Sequence, residues 1–143
     1  MTSKELVKQI LEKWRFPVLD ETENTIVIRY QMNYAHISSL NEESNSIAVL
    51  LTNIFSAENE REESLGLKAC NELNCCMMQV KFYIDSDKDL IISSEFFYNT
   101  EADVEAQLSM ALQSVIVGKK RFLSQYNETE AEDRLLQELN EQE

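Results

Sequence analysis

The spacing of apolar residues changes several times along the chain, and each change predicts an element. Leu6, Val7, Ile10, Leu11 and Trp14 recur at helical spacing with Lys and Glu between them. Ser3 reads as the N-cap, and Pro17 as the residue that stops this helix. Phe16 to Leu19 is short and apolar and predicts a strand; Asp20 to Asn24 is a turn cluster. Thr25 to Met32 is β-branched and alternating, with Ile26, Ile28 and Tyr30 facing one way and Thr25, Val27 and Arg29 the other. Tyr34 to Leu40 extends or follows it, and Asn41 to Asn45 signals another turn. Ile47 to Phe55 is almost wholly apolar, the pattern of a strand buried on both faces.

Residues 57–74 begin acidic and turn basic or neutral, which suits a helix dipole. Leu65, Ala69 and Leu73 share one face of that helix. Met78 to Ile84 alternates, Asp85 to Asp89 is a turn, and Leu90 to Tyr98 completes a hairpin. Thr100 with Asp103 resembles a capping box that opens a long helix. Its stripe runs through Val104, Leu108, Ala111, Leu112, Val115, Ile116, Phe122 and Leu123. The order α-β-β-(β)-β-α-β-β-α, with hairpin links and segregated helices, predicts an α+β fold on a largely antiparallel sheet.

At 143 residues the chain fits one domain, over residues 1–126. Residues 127–143 form an acidic helical extension or tail, with Glu128, Glu130, Glu132, Asp133, Glu138, Glu141 and Glu143 against the lone Arg134. Gly (2) and Pro (1) are scarce, which predicts few turns at positive φ and argues against glycine-built phosphate loops. A net charge of −13 repels nucleic acid and anionic lipid, so neither is expected as a partner. The charged residues of the first helix leave no continuous apolar run, so no secretory leader is expected there, and no stretch approaches membrane-spanning length. Cys70, Cys75 and Cys76 make a poor disulfide framework and fit reduced thiols in a cytoplasm.

Little in the sequence carries chemistry. His36 with the three cysteines supplies zinc-type ligands, but C-x4-C-C is not a zinc-knuckle spacing. A Cys–His nucleophile pair lacks any feature that would activate a thiol. Asp85, Asp87 and Asp89 open like a calcium loop, yet Leu90 stands where glycine is needed and Phe96 where glutamate is needed. Glu58, Glu60, Glu62 and Glu63 are better explained by the helix dipole than by acid–base work. No nucleophile elbow, H-E-x-x-H or phosphate-loop motif occurs. The expectation is therefore no catalytic residue, no cofactor and no metal. Phe96, Phe97 and Tyr98 are consecutive on a strand, so at least one ring faces away from its neighbours. They are the candidate protein-binding residues.

Asn71-Glu72-Leu73-Asn74 closes the second helix, a strand runs from Met78 to Asp85, Asp89-Leu90-Ile91-Ile92-Ser93 follows the turn, and a long helix opens at Thr100. In these segments the second helix and its hairpin resemble the YbjN family of bacterial proteins. It implies an α-β-β-β-α-β-β-α fold like that of type III secretion chaperones, which are acidic, often dimeric proteins that bind other proteins without chemistry. Asn71, Leu73 and Asn74 read as structural also without the resemblance, since asparagine at a helix end adopts the left-handed cap conformation or bonds free carbonyls. The function expected is a non-enzymatic protein-binding module, with a homodimer as one form. The charge also supports an alternative, an acidic inhibitor or immunity-type protein that blocks a basic enzyme.

Overall fold

The computed structural model describes residues 1–40 and 45–142. Its elements run α1 (Ser3–Lys13), β1 (Asp20–Glu21), β2 (Ile26–Tyr30), β3 (Asn33–Ser38), β4 (Ser46–Leu51), α2 (Glu60–Cys76), β5 (Lys81–Ile84), β6 (Leu90–Phe97) and α3 (Glu101–Glu141). The strands form one antiparallel sheet in the order β1-β2-β3-β4-β6-β5, so the fold is α+β.

One face of the sheet is the core. Ile26, Ile28, Ala35, Ile37, Ile47, Val49, Leu51, Phe82 and Ile92 alternate inward and are buried. They meet Val7 and Leu11 of α1, Ala69 and Leu73 of α2, and the α3 stripe through Phe122. Phe55 lies between Phe122 and Tyr126, with ring centroids 5.4 and 4.7 Å away. Burial of this kind contributes roughly 1.5–3 kcal/mol per large side chain.

Several local expectations are corrected. The N-cap of α1 is Thr2, not Ser3. Thr2 Oγ1 accepts the Glu5 N–H at 3.1 Å, while Glu5 Oε2 accepts the Thr2 N–H at 2.9 Å, a reciprocal capping box. Ser3 is buried, and its hydroxyl pairs with that of Tyr98. The helix stops before Pro17 is reached. Arg15 takes the left-handed conformation, φ 62°. The N–H of Phe16 bonds the C=O of Leu11 and that of Arg15 bonds the C=O of Glu12, a Schellman motif. Residues 16–19 are not a strand, and the first strand falls instead on Asp20–Glu21. The expected turn at 41–45 lies, apart from Asn45, outside the described residues. β4 ends at Leu51 and is fully buried on one face only, because all three helices pack against that face. At the start of α3, Thr100 makes no side-chain bond to the backbone; its hydroxyl donates to Asp103 Oδ2 at 2.8 Å instead.

Glycine is used the other way round from expectation. Arg15, Gln31, Met32, Ser39, Asn53, Gln79 and Lys88 all adopt positive φ, and no glycine does. Gln31 and Met32 form the two-residue link between the Tyr30–Asn33 pair, where asparagine and glycine are usual. The glycines sit inside helices, where they leave room. A Cβ on Gly66 would lie 2.8 Å from Ile84 Cδ1 and 3.0 Å from Phe55. One on Gly118 would lie 3.1 Å from both Ile92 and Val80. Gly118 therefore marks the close crossing of α3 over the hairpin.

Candidate protein-binding surface

The strand register gives the second face of the sheet its rows. Val27, His36, Leu50, Ser93 and Lys81 form one, and Thr25, Ser38, Ala48 and Glu95 another. Val27, His36, Leu50 and Ile91 are half-buried on this face, while Tyr34 and Tyr83 are exposed. No helix among the described residues lies over it.

The aromatic run sits where this face ends, at the top of β6. Alternation sends Phe96 inward, partly buried against the core. Phe97 points outward and is 83% exposed. Tyr98 is half-buried, and its hydroxyl meets Ser3, so it anchors the strand end to α1. The structure thus separates the three residues: two are packed and Phe97 alone presents an open ring. Below it, Glu95 joins Lys81 at 2.8 Å and accepts from Ser93 Oγ at 3.0 Å. The Lys81 hydrogen bond holds the Glu95 carboxyl below its ordinary pKa, and Glu95 in turn raises that of Lys81. Tyr83 completes the group, its ring centroid 5.6 Å from Lys81 Nζ.

The motif residues have distinct places. Leu73 is buried in the core. Neither asparagine is a helix-end cap, because α2 continues to Cys76 and Met77 is its C-cap. Asn71 is exposed on the helix. Asn74 reaches across to β5, where Oδ1 accepts the Phe82 N–H and Nδ2 donates to the Phe82 C=O, each at 2.9 Å. Sequence reasoning missed this role, since no local signal connects a helix asparagine to a strand it precedes.

The other groups with possible chemistry do not converge. His36 lies on the uncovered sheet face and Cys70 in the core on the opposite side, so the sheet itself separates them. Burial pushes the Cys70 thiol up to about 11, away from a reactive thiolate. Asp85 Oδ1 accepts the N–H groups of Asp87 and Asp89, which closes the hairpin turn. Glu62 accepts the Glu58 N–H, and Glu63 pairs with Lys88 at 3.1 Å. Among the described residues, no group of three metal-ligating side chains comes together, and no helix is long and apolar enough to cross a membrane.

No protein-family model matches the sequence, and a search of curated proteins finds no match. Solved structures do match in fold. A protein from Methanothermobacter thermautotrophicus superimposes with TM-score 0.62 at 17% identity, over 88% of this chain and 97% of its own. YbjN from E. coli gives TM-score 0.61 at 14% identity, over 85% and 89%. The Yersinia pestis type III secretion chaperone SycH, crystallised with a stable fragment of YscM2, gives 0.56 at 12%, over 85% and 99%. The chain has a YbjN-like fold of the type III secretion chaperone kind.

Proposed function

We propose that this chain is a non-enzymatic, chaperone-like or regulatory protein-binding module of the cytoplasm. Partner segments dock on the uncovered sheet face and against Phe97. The observation that carries this reading is the exposure of Phe97 beside a sheet face that no described helix covers. An exposed apolar ring beside a half-apolar surface is the kind of anchor that a partner encloses at the centre of an interface. The SycH neighbour, crystallised with a fragment of another protein, supports the class. The free, exposed thiols of Cys75 and Cys76 suit a reducing compartment.

The test is affinity purification from native lysate at low and moderate salt. Any stoichiometric partner is then repurified and titrated by calorimetry against wild type and Phe97→Ser. A loss of tenfold or more in Phe97→Ser supports the reading, because a central aromatic anchor contributes about 2 kcal/mol or more. An affinity unchanged by Phe97→Ser but steeply salt-dependent would favour the acidic-inhibitor alternative, since the net charge of −13 would then drive association.

A further inference from the structure

Two rows of side chains run side by side towards the C-terminal end of α3. Asn127, Ala131, Leu135 and Leu139 follow one another at four-residue steps, and Glu130, Arg134 and Glu138 form the neighbouring row. Between the rows lies a groove of about 460 Å³ whose walls come from α3 alone. Ala131 keeps its floor low. In helix packing, a groove between two such rows is the space that a ridge of side chains on a second helix fills.

One border of this groove is apolar. Leu135, Leu136 and Leu139 are 58%, 59% and 52% exposed. A single exposed leucine is ordinary, but these three adjoin: Leu139 stands about 40° round the helix from Leu135, and Leu136 about 60° beyond Leu139. With Ala131 they make one continuous side. The tie of α3 to α2 through Arg61 and Asp133 comes before all three leucines, and among the described residues nothing covers them.

Charge selects the occupant. Glu128 and Glu132 precede Leu136 in its own row, and Glu138 stands across the groove, so carboxylates flank the apolar side on both edges. Arg134 is the only basic residue in this stretch, and Glu130 already holds it. Among the described residues, no cation pairs with Glu128, Glu132 or Glu138. A second copy would bring the same excess of carboxylates to the contact, which repels it.

We propose that this end of α3 is a docking face for a basic amphipathic helix of another protein. Apolar residues of that helix at i, i+3 and i+4 enter the groove over Ala131 and cover Leu135, Leu136 and Leu139, while its flanking lysines or arginines meet Glu128, Glu132 and Glu138. Leu135 lies about 50 Å along α3 from Glu101, and Phe97 stands just before that residue. The face is therefore a second surface, and its assignment does not rest on the Phe97 reading.

The probe is a labelled helical peptide of about 18 residues, built from lysine and leucine with the leucines on one side. A scrambled peptide of the same composition is its control. Both are titrated against the full chain by fluorescence anisotropy. The designed peptide should bind, and the scramble at least tenfold more weakly. Leu135→Gln with Leu139→Gln, a change that keeps helix propensity, should weaken binding about tenfold or more, the scale of burying part of two leucines. Glu132→Gln with Glu138→Gln should weaken it several-fold and flatten its salt dependence. Phe97→Ser should leave it unchanged. Full affinity in the leucine variant, or equal binding of the scramble, would reduce the contact to charge alone and overturn the proposal. So would a designed peptide that does not bind. Binding lost in Phe97→Ser but kept in the leucine variant would move the peptide to the sheet face, overturning this proposal and supporting the earlier reading. Sedimentation showing a wild-type dimer that the leucine variant dissolves would assign the face to a second copy, and would also overturn it.

Discussion

The carboxamide of Asn74 does for Phe82 what a neighbouring strand would do, satisfying both its N–H and its C=O at 2.9 Å. A helix side chain thereby closes the middle of an edge strand. Edge strands with free main-chain groups invite unwanted pairing, and this contact removes the invitation.

Asn74→Ala is expected to destabilise the fold by about 1–2 kcal/mol, since two polar groups lose their partner while the helix gains a better former. Asn74→Asp keeps the acceptor and loses the donor, and should fall between. Urea denaturation measures both. Asn74→Ala should also aggregate sooner on heating, followed by light scattering.

The C-terminal helix divides at Asp133. Up to that point it is held by the Phe55–Tyr126 contact, by the buried Thr129 and by the Arg61–Asp133 pair at 3.0 Å. Beyond it, Leu135, Leu136 and Leu139 are all more than half exposed. Removing residues 134–143 should change stability by less than about 1 kcal/mol, the range of surface changes. Removing residues 126–143 should cost about 3 kcal/mol or more through the lost aromatic packing. Equal effects from the two truncations would contradict this division.

The Lys81–Glu95 pair predicts a plateau in pH. The Glu95 carboxyl is held below its ordinary 4.5, so its contribution is present above that value and is lost as pH falls through the folded one. Lys81 is raised above 10.5, so its contribution is present below that value and is lost as pH rises through the folded one. The stability difference between wild type and Lys81→Met should therefore be flat between these limits and shrink on both sides. Both groups are half exposed, so the difference should be small and reduced by salt. Thermal melts across pH at two salt concentrations check this.

Thiol chemistry separates the cysteines. Cys75 and Cys76 are exposed, whereas Cys70 is buried with its thiol pushed up to about 11. A disulfide reagent at pH 8 should modify Cys75 and Cys76 quickly and Cys70 only when denaturant is added. Mass spectrometry of the labelled peptides identifies each site.

A Cβ on Gly118 would lie 3.1 Å from Ile92 and Val80 and 3.3 Å from Phe82, so these side chains would have to give way by a few tenths of an ångström, and by more for a larger residue. Gly118→Val should cost about 1–3 kcal/mol as an overpacked contact, outweighing the helix propensity it gains. Denaturant midpoints measure this, and a stabilised variant would show that α3 can lift off the hairpin freely.

The α+β class and the strand faces were legible because alternation and helical spacing are periodic signals. Ile26 and Ile28 point inward as their pattern requires. The turns were not legible, because Arg15, Gln31, Met32 and Lys88 adopt positive φ without the glycine or asparagine that would announce it. Leaving such residues there costs the native state strain but also restricts the unfolded chain, so the two effects oppose each other. The apolar run into β4 suggested two buried faces, yet Ala48 and Leu50 are only half-covered. Hydrophobicity records what a residue tolerates, not which layer lies above it. The candidate surface was legible as far as three aromatic rings. That Phe97 alone is open depends on where α1 and the core lie, a long-range fact.

α3 crosses the hairpin at Gly118 and continues to Glu141 as one helix. Beyond that crossing it stays seated through Phe122, Tyr126 and the Arg61–Asp133 pair, so its free end begins only after Asp133 and is about 12 Å long at 1.5 Å per residue. The bearing of that acidic end, with its exposed Leu135, Leu136 and Leu139, is therefore set by where α2 and the aromatic cluster hold the helix rather than by the end itself.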